Sequence, residues 1–140
     1  MLRTGIFLTR YIELNKMREF VQQAALDAGL DENDSYEVQL AVDEACTNII
    51  EHACGGECDE QIEITCTQNK DQFVIVIHDH GEPFDPTSAP IPDLSSGVYD
   101  RPIGGLGIFL MRKLMDEVHF ESQGERGNFL TLIKNPKKVK

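Results

Sequence analysis

Three groups of residues have types and spacings with chemical meaning. In "VDEACTNIIEHA", Glu44 and Asn48 stand four positions apart, one helical turn and about 40° around the axis. On a helix they lie at the margin of an apolar stripe made of Val38, Ala41, Val42, Ala45 and Ile49. Asparagine offers the oxygen that a hard cation such as Mg²⁺ accepts, and glutamate can take a proton from an attacking hydroxyl or water. The same positions suit a solvated helix edge, because Glu37 and Glu51 continue the line. In "IHDHGEPFDP", an apolar strand delivers Asp79 to its own end, and Gly81 lets the backbone turn away close to a ligand. A carboxylate there can accept a hydrogen bond from the exocyclic amine of a base, or can simply form a turn. In "RPIGGLGIFLMRKLMDEV", Gly104, Gly105 and Gly107 crowd the start of a helix, where glycine costs entropy and supplies no cap. The free N–H groups and positive dipole end of a helix start suit a phosphate. A flexible lid hinge is the competing explanation.

The elements that would position these groups follow from hydrophobic periodicity. "IFLTR" reads as a short strand, and "YIELNKMREFVQQAALDAGL" as an amphipathic helix ended by Gly29. A second helix spans 33 to about 53, with Asn33 or Ser35 as N-cap and Gly55–Gly56 closing it. "QIEITCTQ" alternates as a half-buried strand, whereas "QFVIVIHD" is nearly all apolar, as a strand well inside a helix-covered sheet should be. Residues 80–103 hold five of the six prolines and little periodicity, which predicts a long functional lid. A helix over Gly105–Met115 follows, then "DEVHFESQG" and "GNFLTLIK", two strands joined around "GERG". The order β-α-α-β-β-lid-α-β-β predicts an α+β two-layer sandwich, with a mixed, mainly antiparallel sheet and helices on one face.

Bulk properties bound the ligand. The 140 residues make one domain, 1–140, around a single core. A net charge of −11, from 13 basic against 24 acidic residues, argues against direct nucleic-acid binding through a broad basic surface. A nucleotide remains allowed, because a glycine nest or a metal ion holds phosphate on an acidic protein. No apolar run reaches a membrane span and "MLRTGIFLTRYIE" lacks the pattern of a signal peptide, so no membrane association is expected and the location is cytoplasmic by default. Cys46, Cys54, Cys58 and Cys66 have no metal-site spacing and are expected to be reduced core or loop thiols.

The order and spacing of the three groups resemble the GHKL, or Bergerat-fold, ATPases, and within them the anti-sigma regulatory serine/threonine kinases. "DEACTNIIEHA" is similar to their N box, "DHGEPFDP" to their first glycine box and "GGLGIFLMRKLMDEV" to their second, and the likeness runs from about Ile6 to Lys134. It implies ATP and Mg²⁺ as cofactors. Glu44 would be the general base on the hydroxyl receiving phosphate, and Asn48 the Mg²⁺ ligand. Asp79 would bind the adenine amine in a pocket shaped by Gly81. Gly104, Gly105, Leu106 and Gly107 would close on the phosphates, with Arg101 at the lid's end reaching the γ-phosphate. The chain departs from the family at Pro83, where many members have a second glycine.

The implied function is an anti-sigma factor kinase that phosphorylates a STAS-type anti-anti-sigma partner and sequesters a sigma factor. A catalytically idle ATP-binding module that acts by docking is the alternative. The nucleotide-binding half of a histidine kinase fits less well, since no dimerisation helix with an acceptor histidine precedes the domain. Proteins of this type often form homodimers, for which the first strand and helix offer a surface.

Overall fold

The computed structural model describes residues 1–85 and 105–136. Five strands, β1 (Leu2–Leu8), β2 (Gln61–Asn69), β3 (Gln72–Asp79), β4 (Glu117–Ser122) and β5 (Asn128–Lys134), form one sheet in the order β1-β2-β3-β5-β4. Every pairing is antiparallel, so the expected mainly antiparallel sheet is antiparallel throughout. The nearly all-apolar strand β3 is central, as its composition requires.

Three helices, α1 (Leu14–Asp27), α2 (Glu32–Asn48) and α3 (Gly105–Leu114), cover one face of the sheet. Met17, Val21, Ala24 and Ala25 recur along α1 at helical spacing and are buried. In α2 the stripe read from the sequence, Val38, Ala41, Val42 and Ala45, is fully or almost fully buried. These residues pack on Ile62 and Ile64 of β2, Phe73, Ile75 and Ile77 of β3, and Leu132 of β5. Helix α2 sits between α1 and α3, which gives it two packed flanks and a third on the sheet.

Two details differ from expectation. The N-cap of α2 is Asp31, not Asn33 or Ser35: its extended backbone lets the carboxylate accept from the Asp34 N–H at 2.7 Å. Glu32 and Asp34 then lie in the first turn, where the helix dipole favours negative charge. At its other end α2 does not continue as an α-helix to residue 53. Ile49–Ala53 form a π-helical turn, closed by the Cys54 N–H on the Ile49 carbonyl at 2.9 Å. The wider turn keeps Ile49, Ile50 and Ala53 all buried.

The cysteines divide into two kinds. Cys46 and Cys66 are free and buried, as expected of core thiols. Cys54 and Cys58 are joined by a disulfide, which corrects the expectation that the loop thiols are reduced. Gly55 and Gly56 both adopt positive φ, and the chain folds back tightly enough to bring the two Cα atoms within 6.3 Å.

Candidate nucleotide-binding site

The end of β3, the C-terminal part of α2 and one face of α3 surround a cleft of about 350 Å³. Ala45, Asn48, Ile49 and Ala53 line it from the helix side, and Met111 of α3 closes the flank. Phe120 and Leu130 supply the sheet wall. The lining is apolar except for two groups, Asn48 and Asp79, which converge there from elements far apart in sequence. A flat apolar slot with few placed polar groups is the usual form of a small-molecule site.

Asp79 is the last residue of β3 and only 6% exposed. Its Oδ2 accepts from the Gly81 N–H at 2.9 Å and from Asn128 Nδ2 at 3.2 Å. Asn128 pairs with Asp79 in the sheet register and also donates to the Gly81 carbonyl at 2.8 Å. The carboxylate is thus held by both sides of the turn, with its direction set before any ligand arrives. Gly81 must be glycine: a Cβ there would stand 2.5 Å from the Ala53 carbonyl oxygen and 2.6 Å from its carbon. The next residue, Glu82, donates its N–H to that same carbonyl at 2.8 Å. The turn after β3 is therefore docked on the end of the π-helical turn.

Asn48 is buried, and its Nδ2 has no hydrogen-bond partner among the described residues. Buried polar groups are rarely left unpaired, so this amide suits a cleft that takes an oxygen-rich ligand. Glu44, one turn earlier on α2, is half-buried and does not line the cleft enclosed by the described residues. Burial raises its pKa above the ordinary carboxylate value, and the charges of Asp43 and Glu51 push the same way. Asp43 is itself engaged by Arg18, at 2.8 Å. A carboxylate tuned upward holds a proton more strongly, which is the property a general base needs.

Gly105 begins α3, with Leu106 and Gly107 in its first turn. Arg101 and Gly104 lie outside the described residues, as does most of the lid predicted over 80–103. The residue reading missed Phe84, whose ring lines the cleft and stacks on His52 at 4.4 Å with an interplanar angle of 11°. It also missed Asn128, because only the strand register shows that this residue faces Asp79.

The comparisons with known proteins match this geometry. A family model described as a histidine kinase-like ATPase domain matches residues 7–134. The chain belongs to that family. A serine-protein kinase RsbW from Bacillus velezensis is 32% identical over 120 residues, covering 74% of each chain. The Bacillus subtilis protein of the same name is 32% identical over 116 residues, covering 71% of this chain and 72% of its own. The serine/threonine-protein kinase BtrW of Bordetella bronchiseptica is 33% identical over 97 residues, 69% of this chain and 68% of its own. Among solved structures, the RsbU and RsbW domains of a Mycobacterium tuberculosis protein superpose with a TM-score of 0.70 at 15% identity, covering 99% of this chain and 33% of that one. The histidine kinase AdeS of Acinetobacter baumannii shares the fold at a TM-score of 0.51 and 10% identity, covering 97% of this chain and 70% of its own. The predicted Bergerat-type α+β architecture is therefore the observed one. Among the described residues no helix is long and apolar enough to cross a membrane.

Proposed function

We propose that this chain is an ATP-dependent serine/threonine kinase and anti-sigma factor, which phosphorylates a STAS-type anti-anti-sigma partner and sequesters a sigma factor. One observation carries the reading. Asn48 and Asp79 converge on one apolar cleft, with Glu44 a single turn away, in a chain whose relatives are named serine-protein kinases.

The residues present suit ATP and Mg²⁺. Asp79 would accept from the adenine amine, the apolar walls would hold the base, and Asn48 would lend its amide oxygen to the metal. Bound Mg-ATP supplies the γ-phosphoryl group and the neutralising charge, which in phosphoryl transfer is most of the chemistry. The contribution of the chain is otherwise its own. Glu44 takes the proton of the partner's hydroxyl, a step worth on the order of 10²–10⁴ in rate. The start of α3, with Gly105 and Gly107, offers N–H groups to phosphate oxygens, and Arg101 adds a positive charge at the γ-phosphate. Exposed Leu2 and Ile6 on edge strand β1 favour a homodimer through that strand.

The test is transfer of labelled γ-phosphate from Mg-ATP to a STAS-domain protein that copurifies with the chain, wild type against Glu44→Gln. Transfer by the wild type alone supports the kinase with Glu44 as base. Stable association without transfer by either refutes the enzyme and leaves an ATP-binding docking module.

A further inference from the structure

The disulfide at Cys54–Cys58 begins one residue beyond Ala53, whose carbonyl docks the turn that follows β3. From this we infer that Cys54 and Cys58 form a reversible redox site whose state governs the docking of the Gly81–Glu82 turn and, through it, nucleotide affinity. The coupling to affinity rests on the nucleotide reading above; the coupling to the turn does not.

The loop between the cysteines is anchored unequally. At its far end, Cys58 donates its N–H to the Thr9 carbonyl at 3.1 Å, and Thr9 in turn donates its N–H and hydroxyl to the Glu60 carbonyl. Thr9 is buried, so this end is fixed to the segment between β1 and α1. At the near end, the Cys54 N–H closes the π-helical turn on Ile49, and the Gly56 N–H reaches the Ile50 carbonyl at 2.7 Å. Gly55 and Gly56 between them hold positive φ and contribute no side-chain packing. The bridge therefore ties the end of the π-helical turn to the immobile Thr9 side. Opening it leaves two glycines and two backbone hydrogen bonds to hold the carbonyl that Glu82 needs.

Both sulfurs belong to half-exposed residues, and the pair lines an open cleft together with Gly81, Glu82 and Pro83. A reductant can reach the bridge from the same side as the turn it controls. Cys46 and Cys66 contrast with it: both are buried, and burial raises both thiol pKa values, that of Cys66 to about 12. Exchange is thereby confined to the loop pair.

The chemistry is thiol–disulfide exchange with a dithiol of the thioredoxin class. A thiolate of the reductant attacks one sulfur, the Cys54–Cys58 bond breaks, and a mixed disulfide forms. The second thiolate of the reductant then resolves that mixed disulfide. Two electrons and two protons pass to Cys54 and Cys58 as thiols, and the dithiol leaves as its own disulfide.

The experiment compares the full chain after air oxidation and after dithiothreitol. Alkylation of the unfolded, unreduced chain should modify two of the four cysteines, and all four after reduction. The Glu82 amide should exchange hydrogen roughly tenfold faster in the reduced form, and ATP should bind several-fold more weakly. The Cys54→Ser/Cys58→Ser double variant should match the reduced form with or without dithiothreitol. Four alkylated thiols in the oxidised chain, or equal Glu82 exchange in both states, would overturn the inference. Equal ATP affinity in both states refutes the coupling to the site. A change in Glu82 exchange without ATP binding by either form upholds the redox coupling and refutes the nucleotide reading.

Discussion

Replacing Gly81 by alanine tests the claim that the turn after β3 is seated against the backbone of the π-helical turn. The added Cβ would meet the Ala53 carbonyl oxygen at 2.5 Å, whereas non-bonded heavy atoms settle at about 3.5 Å. The obstacle is backbone, so the turn must withdraw by roughly 1 Å. That movement stretches the Glu82 N–H to Ala53 carbonyl bond from 2.8 Å past the useful limit. Overpacking costs about 1–3 kcal/mol and the lost hydrogen bond about 1 kcal/mol, so the variant should lose roughly 2–4 kcal/mol. With an unfolding entropy near 2.1 cal/mol/K per residue over 140 residues, melting should fall by roughly 7–14 °C. The same displacement pulls the Gly81 N–H off Asp79 Oδ2, so ATP affinity should fall by about tenfold or more. Scanning calorimetry and calorimetric titration of the same sample read both quantities. A variant that melts within about 2 °C of wild type and binds ATP equally would refute the docking argument.

Three further substitutions separate structure from chemistry. Glu44→Gln should slow phosphate transfer by about 10²–10⁴ while leaving ATP affinity near normal. It should also be at least as stable as wild type at pH 7: the raised folded pKa means that charging Glu44 costs stability as pH climbs through its unfolded and then its folded value. An amide escapes that cost, so a lower melting temperature at pH 7 than wild type would count against the buried-charge account. Asp79→Asn puts a donor or a weaker acceptor opposite the Gly81 and Asn128 donors and removes the acceptor for a base amine, so ATP binding should weaken about tenfold or more. Unchanged affinity in titration would reject the pocket as drawn. Lys134→Met removes an ammonium that is 2.5 Å from Glu37 Oε2 and 2.6 Å from the Leu114 carbonyl, tying β5 to α2 and to the end of α3. Glu37 is partly exposed and rehydrates, so the loss should be about 1–3 kcal/mol by urea unfolding; an unmoved midpoint would show that the tie is dispensable.

Much of this arrangement was legible in the residues, for physical reasons that also explain the rest. The stripe on α2 repeats over more than two turns, so only one helical phase buries it. Strand β3 was found at its observed bounds because an unbroken apolar run between turn signals suits a central strand. Asn48 and Asp79 were both singled out, and both line the cleft. The π-helical turn was not visible: over five residues, Ile49, Ile50 and Ala53 fit either helical period. The disulfide escaped because two cysteines flanking a short loop have no fixed partner until the glycines adopt positive φ. Asn128 is 49 positions from Asp79, and only the pairing of β3 with β5 joins them.

The π-helical turn also limits how the length of the chain can vary. Its single extra residue sets the rotational phase of everything between Asn48 and the disulfide. Deleting one residue from 49–53 restores α-helical phase and swings the following backbone by about 100°. The Ala53 carbonyl then turns away from Glu82, and the contact that requires glycine at position 81 disappears. A relative shorter by one residue in this stretch is thereby freed to carry a side chain at the position equivalent to Gly81, so a gap here and a glycine there are two readings of one geometric constraint.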